Sequence, residues 1–168
     1  MATEIERKFL IRLPDFDSIP NQRIQAMTQT YLVSLPDDPS LERRVRKIEE
    51  NGQIRYIYTE KRSISANTAA VRQEDEWEIG AEEYAEKLTE AFSQLSKVRH
   101  SFPYAGHTVE IDVYPYHIGG DAMLGLAVLE VELADENEAI EFPSFIEILR
   151  ELTGSREFSN KALAKRMN

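Results

Sequence analysis

At 168 residues the chain is long enough for a single hydrophobic core, and residues 1–168 read as one domain. It is 42% hydrophobic and 30% charged and has no cysteine, which excludes disulfides, thiolate zinc sites and a cysteine nucleophile and agrees with a cytoplasmic location. No apolar run reaches the roughly 18 residues of a membrane span, and no signal peptide is expected ahead of the first charged strand. A net charge of −10 counts against a nucleic-acid backbone as the main partner, though not against a small anion in a locally basic pocket.

In chain order, residues 3–12 alternate charged and apolar and predict a strand, and residues 27–34 are rich in β-formers. Leu35-Pro36-Asp37-Asp38-Pro39 reads as a loop. Strands over 41–48 and 53–61 flank Asn51-Gly52, a hairpin signal because both residues tolerate positive φ. Residues 63–70 are small and polar and read as a mobile loop, followed by a strand over 71–79. Residues 81–96 switch to helical spacing, with Tyr84, Leu88, Phe92 and Leu95 on one core-facing stripe. Strands over 97–103 and 107–114 meet at Ala105-Gly106; 115–125 is a loop with Pro115, Gly119 and Gly120. A strand over 126–134 precedes two helical stretches, 143–153 and 159–167, separated at Gly154.

Eight mostly sequential strands with few helices predict an α+β, mainly antiparallel fold, an eight-stranded closed barrel with helices packed on its surface. In a strand, residues i and i+2 share a face. Glu4/Glu6/Lys8, Arg44/Arg46, Thr59/Lys61, Glu76/Glu78, Lys97/Arg99, Glu110/Asp112 and Glu130/Glu132 all follow that spacing. The intervening positions include Ile5, Phe9, Val109, Ile111, Leu129 and Val131, so the opposite face is apolar and packs against something, expected to be the helices.

Any one such pair is ordinarily a wet face of an amphipathic strand. The set argues for more: the positions are mostly fully charged, and like charges at this spacing repel. They make sense where a charged ligand neutralises them, because isolated buried charge costs several kcal/mol. Arginine and lysine in that setting hold phosphate oxygens. Paired carboxylates suit Mg²⁺ or Mn²⁺, and a metal bridging the substrate stabilises charge and activates water. The sequence has no glycine-rich phosphate loop or dinucleotide fingerprint. His100, His107 and His117 are scattered and read as surface or edge residues; Tyr31, Tyr56 and Tyr58 read as packing, Trp77 as core, and Lys161/Lys165/Arg166 as helix-end charge.

Glu4-Ile5-Glu6-Arg7-Lys8-Phe9-Leu10 resembles the Glu-x-Glu-x-Lys signature of the CYTH superfamily, the triphosphate tunnel metalloenzymes. Arg44-Val45-Arg46, Thr59-Glu60-Lys61, Glu76-Trp77-Glu78, Lys97-Val98-Arg99, Glu110-Ile111-Asp112 and Leu129-Glu130-Val131-Glu132 match that family's later strands in order. Ser159-Asn160-Lys161-Ala162-Leu163-Ala164 is similar to the ending of its bacterial members. A departure is the long 62–73 segment, and Glu74 shares the Glu76/Glu78 face, which leaves the register of that acidic pair open.

The resemblance implies a charged tunnel that holds a small-molecule triphosphate with Mg²⁺ or Mn²⁺. It implies phosphate binding by Lys8, Arg44, Arg46, Lys61, Lys97, Arg99 and Lys161, and metal binding by Glu4, Glu6, Glu130 and Glu132. Glu76, Glu78, Glu110 and Asp112 become supporting acids, and Lys97 and Glu6 the catalytic residues. Hydrolysis of inorganic triphosphate is the first expectation. Class IV adenylate cyclase chemistry and thiamine triphosphate hydrolysis are the alternatives within the family, and a polyphosphate-binding module the alternative outside catalysis. No nucleic-acid or membrane partner is expected, and a homodimer is compatible with the sequence.

Overall fold

The computed structural model describes residues 2–63, 71–114, 125–155 and 159–167. The chain opens with β1 (Ala2–Arg12), a 3-10 turn (Phe16–Ser18) and β2 (Arg23–Leu32). Then come β3 (Glu42–Glu50), β4 (Gln53–Ser63) and β5 (Val71–Ile79). Helix α1 (Ala81–Lys87) and a second 3-10 turn (Leu88–Glu90) lead into β6 (Ala91–Tyr104). After β7 (His107–Val113) and β8 (Leu126–Glu132), the C-terminal part holds β9 (Ile148–Glu151), α2 (Asn160–Leu163) and β10 (Lys165–Arg166). No helix among the described residues is long and apolar enough to cross a membrane.

Eight of the strands close on themselves. Their order is β6-β2-β3-β4-β5-β1-β8-β7, and β7 returns to β6; every pairing is antiparallel. The β3–β4 hairpin turns at Asn51 and Gly52, with φ of 52° and 77°. Both lie in the left-handed region that this two-residue turn needs. The closed barrel is therefore as the alternation predicts.

The two faces of the wall separate cleanly. Outside β1, β6, β7 and β8, Phe9, Ile11, Phe102, Val109, Ile111, Leu129 and Val131 form the main core. That core is covered largely by non-helical chain, through Phe16, Ile19, Ile140, Phe142 and Ile146. On the other side α1 fills the helical role, setting Tyr84 against Leu32, Val45, Tyr58 and Ile79. Each such side chain stabilises the fold by about 1.5–3 kcal/mol when fully buried. Inside the barrel, Met27, Ile48 and Ile57 form one apolar cluster. Leu10, Leu95 and Val128, joined by Leu152, Leu163 and Tyr114, form another.

Several expected elements differ. The helix predicted over 81–96 stops at Lys87, and β6 begins at Ala91 rather than at residue 97. Ser93, Leu95 and Lys97 also alternate at period two, and pairing along the length of β2 decides in favour of strand. The second strand starts at Arg23, earlier than residue 27, because β6 continues opposite it to Ser101. Residues 148–151 form a strand instead of a helix because β1 offers a free edge at Phe9–Ile11. The last helix is four residues long, capped by the Ser159 hydroxyl, which accepts from the Ala162 N–H at 3.0 Å. β10 then pairs with Ser93 and Gln94, on an edge of β6 that β7 does not reach. Trp77, expected in the core, is 46% exposed on the outer face, edge-on to Tyr58. The expected loops over 64–70 and 115–124, including Pro115, His117, Gly119 and Gly120, lie outside the described residues.

Candidate active site

The inward positions of the wall surround a cavity of about 820 Å³. β1 contributes Glu4, Glu6 and Lys8; β2 Gln29 and Tyr31; β3 Glu42, Arg44 and Arg46; β4 Lys61; β5 Arg72. From β6, β7 and β8 come Lys97, Arg99, Glu110 and Glu130, and the C-terminal segment adds Asn160 and Lys161. Strand parity brings these residues together, since each strand turns every second side chain inward. Lys161, placed at a helix end by the sequence, thus lines the cavity, and so does Tyr31, which donates nothing to the outer core.

One side of the lumen is a buried ion network. Asp112 is fully buried and accepts from Arg99 Nε and Nη2 at 2.7 and 2.9 Å and from Lys97 Nζ at 2.7 Å. Arg99 also donates to Glu110 at 2.7 Å and lies 3.5 Å from Glu130. Lys8 sits 3.3 Å from Glu130 and 3.9 Å from Glu6. Burial would raise the Asp112 carboxyl, but Arg99 and Lys97 hold it well below the usual range. The same contest leaves Glu130 at about 2, with Lys8 and Arg99 prevailing over burial. Lys97 goes the other way. Burial lowers it to about 8, against the pull of Asp112 and with added repulsion from Arg99. Asp112 is already committed to Arg99 through two hydrogen bonds, so it offsets only part of that burial.

The opposite side is less fully paired. Lys61 lies 2.8 Å from Glu4 and 3.0 Å from Glu74. Arg46 donates to Glu76 at 2.8 Å, and the Thr59 hydroxyl donates to the same oxygen at 3.0 Å. Register resolves the acidic pair left open by the sequence: Glu74 stands opposite Lys61, Glu76 opposite Thr59, and Glu78 opposite Ile57. Glu78 is exposed and does not line the cavity. Arg44 is only 8% exposed; among the described residues no carboxylate lies within ion-pair distance of it, and its Nε has no hydrogen-bond partner. Burial, with repulsion from Arg44, works against the charge of neighbouring Arg46. Such a pair of crowded guanidinium groups is a receptive site for an anion.

The acids at the other end of the lumen have the converse problem. Glu6 is pushed up to about 7 by burial and then by Glu130, despite Lys8 and Lys61. Glu132, directly opposite Glu6 in the ladder, is raised by burial and then by Glu4 and Glu74. Glu132 is exposed and is not among the cavity-lining residues, so of these two acids only Glu6 is both cavity-facing and held from solvent. Carboxylates that repel one another fit a hard divalent cation in donor type and charge. Among the described residues no three acidic or histidine side chains converge as a ready-made ligand cluster.

Sequence reading missed Asn160, Tyr114, Gln29, Arg72 and Glu42. Parity with Tyr31, Glu74, Arg44 and Asp112 was the available signal for Gln29, Arg72, Glu42 and Tyr114; nothing local distinguishes Asn160. His100 and His107, read as surface or edge residues, are half-buried on the outer face of the barrel, bonded to Gln22 and Glu138, and His100 is paired with strands on both sides. Tyr56 and Tyr58 pack outside the barrel, against Tyr84 and Trp77.

Wall and lumen together define a closed antiparallel tunnel protein with an ionised interior. Residues 2–165 match the CYTH domain, and the chain belongs to that family. It is 30% identical to the inorganic triphosphatase of Acetivibrio thermocellus over 166 residues, 98% of this chain and 95% of that protein. It is also similar to the crystal structure of the inorganic triphosphatase NE1496, with 28% identity, TM-score 0.56, and 96% and 97% of the two chains covered. The structure of HpAC1 from Hippeastrum shares the fold at TM-score 0.54 and 14% identity, over 78% of this chain and 80% of that one.

Proposed function

We propose that the protein hydrolyses inorganic triphosphate inside the barrel, with a divalent cation. The observation that carries this is Arg44: a buried guanidinium with no carboxylate in ion-pair range among the described residues, facing the cavity. The two triphosphatases similar to this chain support the choice of substrate.

Lys8, Arg44, Arg46, Lys61, Arg99 and Lys161 bind the phosphoryl oxygens and spread their charge. Glu4, Glu6, Glu130 and Glu132 would hold Mg²⁺ or Mn²⁺, which when bound would supply further charge neutralisation on the substrate. Glu76, Glu110 and Asp112 orient the cations. Lys97, lowered to about 8, is partly neutral near that pH and takes a proton from the attacking water. The water oxygen bonds to the terminal phosphorus as the bridging P–O bond breaks. Its electron pair leaves with diphosphate, the other product is orthophosphate, and the proton rests on Lys97.

Purified protein incubated with tripolyphosphate or with ATP, each with Mg²⁺ or Mn²⁺, provides the test. Release of orthophosphate from tripolyphosphate without cyclic AMP from ATP is expected. Cyclic AMP with diphosphate would replace this reading with a cyclase, and turnover of neither would overturn it.

A further inference from the structure

Lys97 is held by two acceptors, and only one of them belongs to the barrel wall. Asp112 Oδ2, on adjacent β7, lies 2.7 Å from its Nζ. Asn160 Oδ1, on α2, lies at 3.3 Å. The same Asn160 oxygen accepts from the Tyr114 hydroxyl at 2.6 Å. All four residues are buried. Tyr114 comes two residues after Asp112, just past the end of β7. One strand end therefore holds the lysine twice, directly through Asp112 and indirectly through Tyr114 and Asn160. An ammonium group only donates, so facing Lys97 fixes which end of the Asn160 amide is the oxygen.

A neutral amine carries two hydrogens and one lone pair. With two acceptors at Nζ, both hydrogens are committed. The lone pair then takes the remaining tetrahedral direction, left to the cavity that Lys97 lines. With Asp112 alone, the amine is free to turn about that single hydrogen bond and its lone pair has no fixed direction.

We propose that Asn160, held by Tyr114, is a positioning residue that aims the Lys97 lone pair at the attacking water. This rests on the reading of Lys97 as the proton acceptor in triphosphate hydrolysis. It gives α2 a part in the reaction beyond covering the barrel: the C-terminal segment supplies half of the lysine's hydrogen-bonding frame.

The test is steady-state tripolyphosphate hydrolysis by Asn160→Ala, Tyr114→Phe and Lys97→Ala, with melting temperatures measured alongside. Asn160→Ala is expected to lower kcat by roughly 10–100-fold with KM within about twofold, the signature of lost orientation and not of lost binding. Tyr114→Phe keeps Asn160 but removes its tether, and is expected to lower kcat by roughly 3–10-fold with KM again unchanged. Wild-type kcat in both variants, or a rise in KM with kcat intact, would overturn the proposal. Were Asn160→Ala not to fold, Tyr114→Phe decides alone on the same criteria. Full activity in Lys97→Ala would instead remove the proton-acceptor reading itself, whatever the other two variants do.

Discussion

Arg46 and Glu76 are bonded at 2.8 Å although a whole strand lies between them. Arg46 is on β3 and Glu76 on β5, and the bond passes over Thr59 of β4, whose hydroxyl donates to the same carboxylate oxygen. Three consecutive strands are thus tied on the lumen side by one carboxylate. Glu78, two residues on with the same parity, makes no such tie among the described residues. Glu76→Ala is expected to destabilise by about 1–2 kcal/mol, since a half-exposed acid bonded to a buried cation is worth more than a surface pair and less than a core one. Glu78→Ala should stay within about 0.5 kcal/mol of the wild type. Urea unfolding of both variants checks this; equal effects would contradict the register.

Arg44 separates binding from stability. Its guanidinium is buried with no carboxylate within ion-pair distance among the described residues, and burial works against its charge, but Tyr31, Glu42, Glu74 and Glu76 more than offset this from farther off. Arg44→Met should lower the melting temperature only modestly, because no direct ion pair is broken and a similar volume is kept, while the acids around it lose one cation. It should raise KM for tripolyphosphate by roughly 10–100-fold, the value of a charge-assisted hydrogen bond to phosphate. Kinetics and a thermal scan on one preparation give both numbers.

Asp112 behaves in the opposite sense. Asp112→Asn leaves Lys97 and Arg99 buried around a neutral amide. The cost expected for breaking such an ion network is about 3–5 kcal/mol. Equilibrium denaturation measures it, and a loss below about 1 kcal/mol would show that the network is solvated in a way its burial denies.

Glu6 makes the metal-free protein sensitive to pH. The folded state holds this proton more tightly than the unfolded chain, its carboxyl standing near 7 instead of 4.5. Its contribution therefore favours folding fully below pH 4.5, fades as pH rises from 4.5 to 7, and is gone above that. The amount at stake is on the order of 3 kcal/mol. Glu6→Gln should flatten this part of the pH–stability curve in the presence of a chelator, and should abolish most of the activity. Adding Mg²⁺ should stabilise the wild type more at pH 8 than at pH 5, because only the ionised carboxylate is a ligand.

The barrel and most of its lumen were legible because a strand reports its inner face every second residue. Glu4/Glu6/Lys8, Arg44/Arg46 and Lys97/Arg99 announced that face without any knowledge of their neighbours. Asn51-Gly52 placed a hairpin on local grounds alone. Residues 91–97 failed because Leu88, Phe92 and Leu95 satisfy a helical stripe while Ser93, Leu95 and Lys97 satisfy a strand; the partner strand decides, and β2 is some seventy residues away. β9 and β10 were invisible for a related reason. They fill edges left open by β1 and β6, and an open edge is a property of the assembled wall. Asn160 was missed because its importance lies in whom it meets, Lys97 and Tyr114, and neither is near it in the chain.

β1 is the seam of this barrel. β5 and β9 share one of its edges and β8 takes the other, so it pairs with residues 71–74, 126–132 and 148–151. On a ribosome β1 waits for its partners: about sixty residues must follow before β5 can reach Ala2–Ile5, and more than a hundred before β8 and β9 complete its edges. Its own charges suit that wait: Glu4, Glu6, Arg7 and Lys8 are poor partners for another chain's edge and guard against premature association. Contacts so distant in sequence also make closure slow relative to the local hairpins. Arg7 apart, the residues that keep the nascent strand soluble are the ones that end up facing the cavity, so the charge of the lumen first serves as protection against aggregation.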